Sequence, residues 1–171
     1  MNNFATLNNN INNKFLEVFN SSYKGTGTIV LLCIGTDKII GDCFGPLVGY
    51  NLKKYKNNSF YIEGDLDKII CATNIVNRIN EIYKKYNNPF IIAIDSCLSH
   101  LYNEGDIIIS SKGLRPGSGL NKSFNEIGDM SIKGVVGKYS KENYTNLNNV
   151  RLKTVIDMAN LVSEEIKKAF V

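Results

Sequence analysis

The sequence predicts an α/β domain built around a central, mostly parallel sheet with helices on both faces. Three observations carry that prediction. Segments with a period near 3.6 residues alternate with short β-branched runs along the chain. Two of those runs, residues 29–34 and 90–94, are apolar at every position, as strands covered on both faces are. Each run ends abruptly in a polar segment carrying an aspartate, at the sheet edge where α/β folds gather their sites.

Taken in order, the chain opens with an Asn-rich stretch and an amphipathic helix carrying Leu7, Ile11, Phe15, Leu16, Val18 and Phe19 on its apolar face. Residues 1–24 form an extension, in part flexible, and residues 25–171 the single α/β domain. The first strand is the run 29–34, between Gly27 and Gly35. A polar loop holding Asp37 and Asp42 follows, and Gly45-Pro46 opens a helix to about Lys56, proline being tolerated in a first turn. Residues 59–63 are strand-like, and Gly64-Asp65 breaks them. Helical spacing of Ile69, Ile70, Thr73, Val76, Ile79, Ile82 and Tyr83 predicts a long helix over about 66–86, stopped by Asn87-Asn88-Pro89. The second buried strand spans residues 90–95. Residues 106–111 are another strand, and the β–β step makes one sheet member antiparallel. KGLRPGSG (112–119) is too rich in Gly and Pro to be regular. Residues 131–138 form a last strand, 141–149 a polar turn region, and 150–170 a closing helix with Leu152, Val155, Ile156, Ala159, Leu161, Val162 and Ile166 as its apolar set.

At 171 residues and 43% hydrophobic, the chain has enough apolar material for one full core. Its formal net charge is +4, but the basic residues are scattered over predicted helix surfaces, as at Lys53, Lys54, Lys84, Lys85, Lys167 and Lys168. A nucleic-acid footprint would gather them on one face, so no nucleic-acid partner is expected. No apolar run approaches the ~20 residues that span a bilayer, and no membrane partner is expected. MNNFATLNNNINNKF lacks the basic start and apolar core of a signal peptide, so the expected location is the cytoplasm. None of the four cysteines, Cys33, Cys43, Cys71 and Cys97, forms a CxxC pair, which argues against a zinc knuckle. Cys43 and Cys97 each lie within two residues of an aspartate, and a nucleophilic role would need a cationic partner such as the single histidine, His100.

The chemistry falls to the acids. If the first two buried strands are parallel neighbours, Asp42 and Asp95 reach the same edge of the sheet. Nearby carboxylates push their pKa values apart, leaving one as an acid and the other as a base toward water. Alternatively, such a pair suits a divalent metal, since hard cations favour carboxylate oxygen. Glu63 could join them, although a solvent-facing position is expected for it. Asp37 reads as a turn residue. Arg115 could hold a substrate carboxylate or a carbonyl, against a plain surface-loop role.

CIGTDKIIGDCFGPLVG (33–49), IDSCLS (94–99) and KGLRPGSGLNKSFNEIGDMSIKGVV (112–136) resemble the YyaC-type sporulation proteins, from about residue 25 to the end. That group is in turn similar to the germination protease of spores and, more distantly, to the hydrogenase-maturation endopeptidases. The resemblance implies a three-layer α/β/α, phosphorylase/hydrolase-like fold with a five-stranded mixed sheet. It places the germination protease's two essential aspartates on Asp42 and Asp95, and implies substrate-binding roles for Gly35, Thr36, Gly41, Gly45 and Arg115. The hydrogenase-maturation enzymes add a nickel-binding histidine, for which the chain shows no clear counterpart; the two-aspartate version, with no metal and no cofactor, is therefore expected.

The implied activity is hydrolysis of peptide bonds in a protein or peptide, small acid-soluble spore proteins being the expected class, in the sporulating cell or forespore. A homo-oligomer is compatible with it. Two other readings stand beside it: a non-enzymatic sporulation protein that binds a partner in the same cleft, and a nickel-dependent endopeptidase of the hydrogenase-maturation type.

Overall fold

A computed structural model describes residues 11–55, 58–115, 126–140 and 143–170. Eleven elements follow in chain order: α1 (Ile11–Ser22), β1 (Ile29–Cys33), a 3-10 turn (Ile40–Cys43), α2 (Phe44–Lys53), β2 (Tyr61–Glu63), α3 (Ile75–Lys85), β3 (Phe90–Ser99), β4 (Ile107–Ser110), β5 (Met130–Lys138), α4 (Asn143–Asn148) and α5 (Leu152–Ala169). The five strands form one sheet in the order β2-β1-β3-β5-β4. Four pair in parallel and β4 runs antiparallel to β5. The sheet is mixed and mostly parallel, as the sequence predicts.

Alternation along the strands divides the interior in two. Leu31, Cys33, Ile92, Ile94 and Ile132 face one side, where they pack with Phe15 of α1, Phe44 and Val48 of α2, and Val155 and Val162 of α5. Val30, Leu32, Ile34, Ile91 and Ala93 face the other side, against Ile75 and Ile82 of α3 and against Leu114 and Ile127. The molecule is therefore a three-layer α/β/α sandwich. Among the described residues no helix is long and apolar enough to cross a membrane.

Three elements differ from their sequence expectation. The helix over 66–86 begins only at Ile75. Before it, polar side chains capture the backbone: Asp65 Oδ1 accepts from the N–H groups of Asp67 and Lys68 (2.7 and 2.8 Å), and Asn74 binds Cys71 N–H and Ile69 C=O. Such local bonds compete with a helical ladder. Ile70 stays fully buried, so its apolar spacing reflects burial in a loop.

The second difference is β3, which runs four residues past Asp95. It is carried there by pairing with β5 from Asp95↔Lys133 to Ser99↔Lys138, with a register shift between Cys97 and Leu98. The apolar run ends at Ile94 because β1 ends opposite it, Cys33 facing Ile94. Third, part of the polar region 141–149 is the short helix α4. The irregular KGLRPGSG segment lies outside the described residues from position 116 onward.

Candidate active site

The loop that carries Asp42 is fixed at both ends by main-chain bonds. Ile34 N–H donates to Ile94 C=O and Gly35 N–H to Ile70 C=O, both at 2.8 Å; Thr36 N–H closes back on Asp42 C=O at 3.1 Å. Gly35 has φ +139°, and a Cβ there would lie 2.0 Å from the Asp42 carbonyl oxygen. Only glycine allows that closure. Gly45, in the first turn of α2, sits so close to the sheet that a Cβ would meet Ile34 O at 2.1 Å. The helix is thereby drawn onto the ends of β1 and β3, and the turn ahead of it holds Asp42 over that edge.

Asp95 arrives from β3. By alternation with Ile92 and Ile94 on one face and Ile91 and Ala93 on the other, its side chain leaves on the α3 side. Ser96 joins the two acids. Its main-chain N–H donates to Asp95 Oδ1 at 2.8 Å, and its hydroxyl donates to Asp42 Oδ1 at 3.4 Å. One residue thus binds both carboxylates.

Their environment separates them from ordinary surface acids. Burial pushes the Asp42 carboxyl up to about 6, against the lowering effect of the Ser96 hydroxyl and Thr36. Asp95 is held well above its usual value, first by burial and then by the Asp42 charge, against the Ser96 N–H and Lys133. Burial therefore raises both carboxyls, and the Asp42 charge raises Asp95 further, separating the two in the sense that an acid and a base require.

The other predicted residues divide. Thr36 is half-buried in the Asp42 loop, and Gly41 is buried, with the place of a Cβ taken by Leu147 of α4. Arg115 is exposed just beyond the Leu114–Ile127 bridge, and no hydrogen bond among the described residues joins it to the acids. Asp37 is exposed in a turn, as expected.

Glu63 requires a correction. It is not solvent-facing but 8% exposed, accepting from Tyr86 Oη at 2.7 Å and pairing with Lys85 at 2.8 Å and Arg78 at 3.4 Å. Burial raises its carboxyl, and these partners pull it below the usual range. It is a structural anchor between β2 and α3.

The cysteines are thiols. Burial pushes Cys97 up to about 11 and raises Cys43 and Cys33 as well. The ring of His100 packs edge-on against Tyr139 at 4.8 Å, an aromatic contact. Among the described residues no three His, Cys, Asp or Glu side chains cluster as metal ligands would.

Sequence reasoning passes over two residues of this neighbourhood. Ser96 follows Asp95 directly, a hydroxyl at the end of an apolar run. Lys133 is a lone lysine inside the strand MSIKGVVGK, and it is the β5 partner of Asp95.

The five-stranded, three-layer fold is that of the hydrogenase maturation proteases. The chain aligns with the [NiFe] hydrogenase maturation protease HycI from Thermococcus kodakarensis KOD1 at a TM-score of 0.52 and 20% identity, covering 90% of this chain and 99% of that one. Alignment with HybD from Thermococcus kodakarensis gives a TM-score of 0.44 at 16% identity, over 81% of this chain and 98% of that one. The chain itself belongs to the DUF1256 family, described as a protein of unknown function, which matches residues 3–165.

A relative is the "Uncharacterized protein YyaC" of Bacillus subtilis (strain 168), 41% identical over 136 residues, which are 80% of this chain and 66% of that protein. The match thus spans just under two thirds of the relative's length. The family match extends N-terminally beyond residue 25, where the sequence motifs begin, and takes in α1.

Proposed function

We propose that the protein is a peptidase in which Asp42 and Asp95 act together on water and a peptide bond. The observation that supports this most is Ser96, which binds both carboxylates and so keeps them in one site. In this mechanism ionised Asp42 takes a proton from water as the water oxygen attacks the scissile carbonyl carbon. Protonated Asp95 supplies the proton that the departing amine needs. The two groups then exchange a proton to restore the starting state.

The resemblance of the 33–49 and 94–99 motifs to the germination protease points to small spore proteins as substrates and to a sporulating cell as the setting. A second reading, an endopeptidase of the hydrogenase-maturation type, is favoured by the fold shared with HycI.

Mass spectrometry of small acid-soluble spore proteins incubated with wild type, Asp42→Asn and Asp95→Asn tests the first reading. Discrete fragments from wild type alone are the expected result. Equal fragments from all three would remove the aspartates from the mechanism. No fragments from any would remove these substrates, and a nickel-supplemented incubation with an unprocessed hydrogenase precursor would then test the second reading.

A further inference from the structure

Among the described residues Lys133 is the one cation that bears on Asp95, and the proposed mechanism leaves it without a task. The parallel register of β3 and β5 sets it directly beside Asp95. Register partners in parallel strands project from the same face, so the ammonium and the carboxyl leave on the α3 side of the sheet. Lys133 is half-buried and flanked in β5 by Ile132 and Gly134, both buried. A lysine there, in a strand otherwise apolar or glycine at residues 132–137, keeps a charge where the core would accept none without a reason.

It is also not committed elsewhere. The ion pairs of the described residues join other lysines and one arginine to acids, and none involves Lys133. The described groups that act on the acid pair are few. Asp42, from the 3-10 turn, and Lys133, from β5, act on Asp95; Cys97 follows two residues on in β3, Cys43 is next to Asp42, and Asp37 acts on Cys43. Lys133 is the single positive charge in that set, and it favours negative charge on its neighbour Asp95.

We propose that Lys133 is the positioning residue of the aspartate pair, a fixed positive charge on the neighbouring strand, beside Asp95, that lets one of the two carboxyls ionise while the other keeps its proton. It moves no proton itself. Through-space attraction between a lysine and a carboxylate at cross-strand distance favours the singly ionised pair over the doubly protonated one. The same charge steadies the pair during proton exchange. This rests on the reading of Asp42 and Asp95 as the acting pair, but its test does not depend on turnover.

The experiment is a carboxyl-carbon NMR titration of full-length wild type, Lys133→Met and Lys133→Arg, with a melting curve for each. Removing the charge should move the first titration midpoint of the pair upward by roughly half a pH unit to two pH units, the range set by effective dielectric constants between water and a protein surface. Lys133→Arg should return it to the wild-type value. A folded Lys133→Met with unchanged midpoints would overturn the proposal, and so would an upward move that Lys133→Arg does not reverse. If Lys133→Met does not fold, Lys133→Gln replaces it under the same criteria. Titration midpoints that move as stated, with no fragments in any peptidase assay, would sink the proposed activity and leave the role of Lys133 standing.

Discussion

Asp42 carries a cost in stability. Its carboxyl binds a proton more tightly in the folded chain than in the unfolded one, with a folded value of about 6 against 3.8. Between those values the folded state holds more protons, so stability falls as pH rises, and the penalty is complete above about 6. Asp42→Asn should therefore raise stability at pH 7 by on the order of 1–2 kcal/mol, after allowance for solvent screening, and leave it unchanged near pH 3. Urea melts at both pH values check this. Glu63 has the opposite sign: its stabilising contribution is present above its unfolded value and is lost on acidification, as Lys85, Arg78 and Tyr86 lose their acceptor. Glu63→Ala should cost about 1–3 kcal/mol at pH 7, because it leaves the buried Tyr86 hydroxyl without its acceptor and removes the charge that Lys85 and Arg78 pair with, and less near pH 3. The two acids also differ in how well the sequence announces them. Asp95 ends an apolar run and Asp42 lies in the loop that follows one, so both stand out; the role of Glu63 does not, because its partners lie 15 to 23 residues away. Ser96 goes unmarked in the sequence because its partner Asp42 is 54 positions distant.

At the scale of elements, the strands were legible because burial on two faces writes a continuous apolar run. Helix length was not, because the same apolar spacing arises wherever a loop is pinned over a core. Asn74 is where that distinction becomes testable. Its side chain bonds Cys71 N–H at 2.9 Å and Ile69 C=O at 3.0 Å, holding the segment ahead of α3 off a helical path. Asn74→Ala should cost about 1–2 kcal/mol and raise amide exchange over residues 66–74 ahead of the strands, which exchange spectroscopy would show. The overrun of β3 past Asp95 was hidden for a different reason. Beyond Ile94 only β5 pairs with it, so residues 95–99 are half-covered and need no apolar run. Gly45→Ala tests the contact between α2 and the sheet, since the new methyl would stand 2.1 Å from Ile34 O. A loss of at least about 2 kcal/mol is expected, together with a displaced Asp42 resonance in the carboxyl titration.

For the whole molecule, α/β alternation gives the layers and the parallel sheet, while the strand order comes from contacts no local pattern encodes. The N-terminal helix is the clearest case. Its spacing is readable, but not its place, with Phe15 1% exposed in the same core as α5. Phe19 stacks on Phe15 at 5.8 Å and meets Phe90 and Phe170 edge-on at 5.9 and 5.3 Å, joining the first helix, the central strand and the residue that follows α5. Phe15→Ala should cost about 3–5 kcal/mol in a chemical melt. A chain lacking residues 1–22 should melt at a lower temperature, seen by calorimetry.

That aromatic knot also has a consequence in time. During synthesis the helix bearing Phe15 and Phe19 leaves the ribosome well before Phe170, which follows α5. Between those moments the first helix has Phe90 to rest on but no α5, so its apolar stripe waits in water while the sheet is still being translated. The aspartate pair is thus on the nascent chain well before the fold can close, and the peptidase we propose would be assembled only after α5 is released.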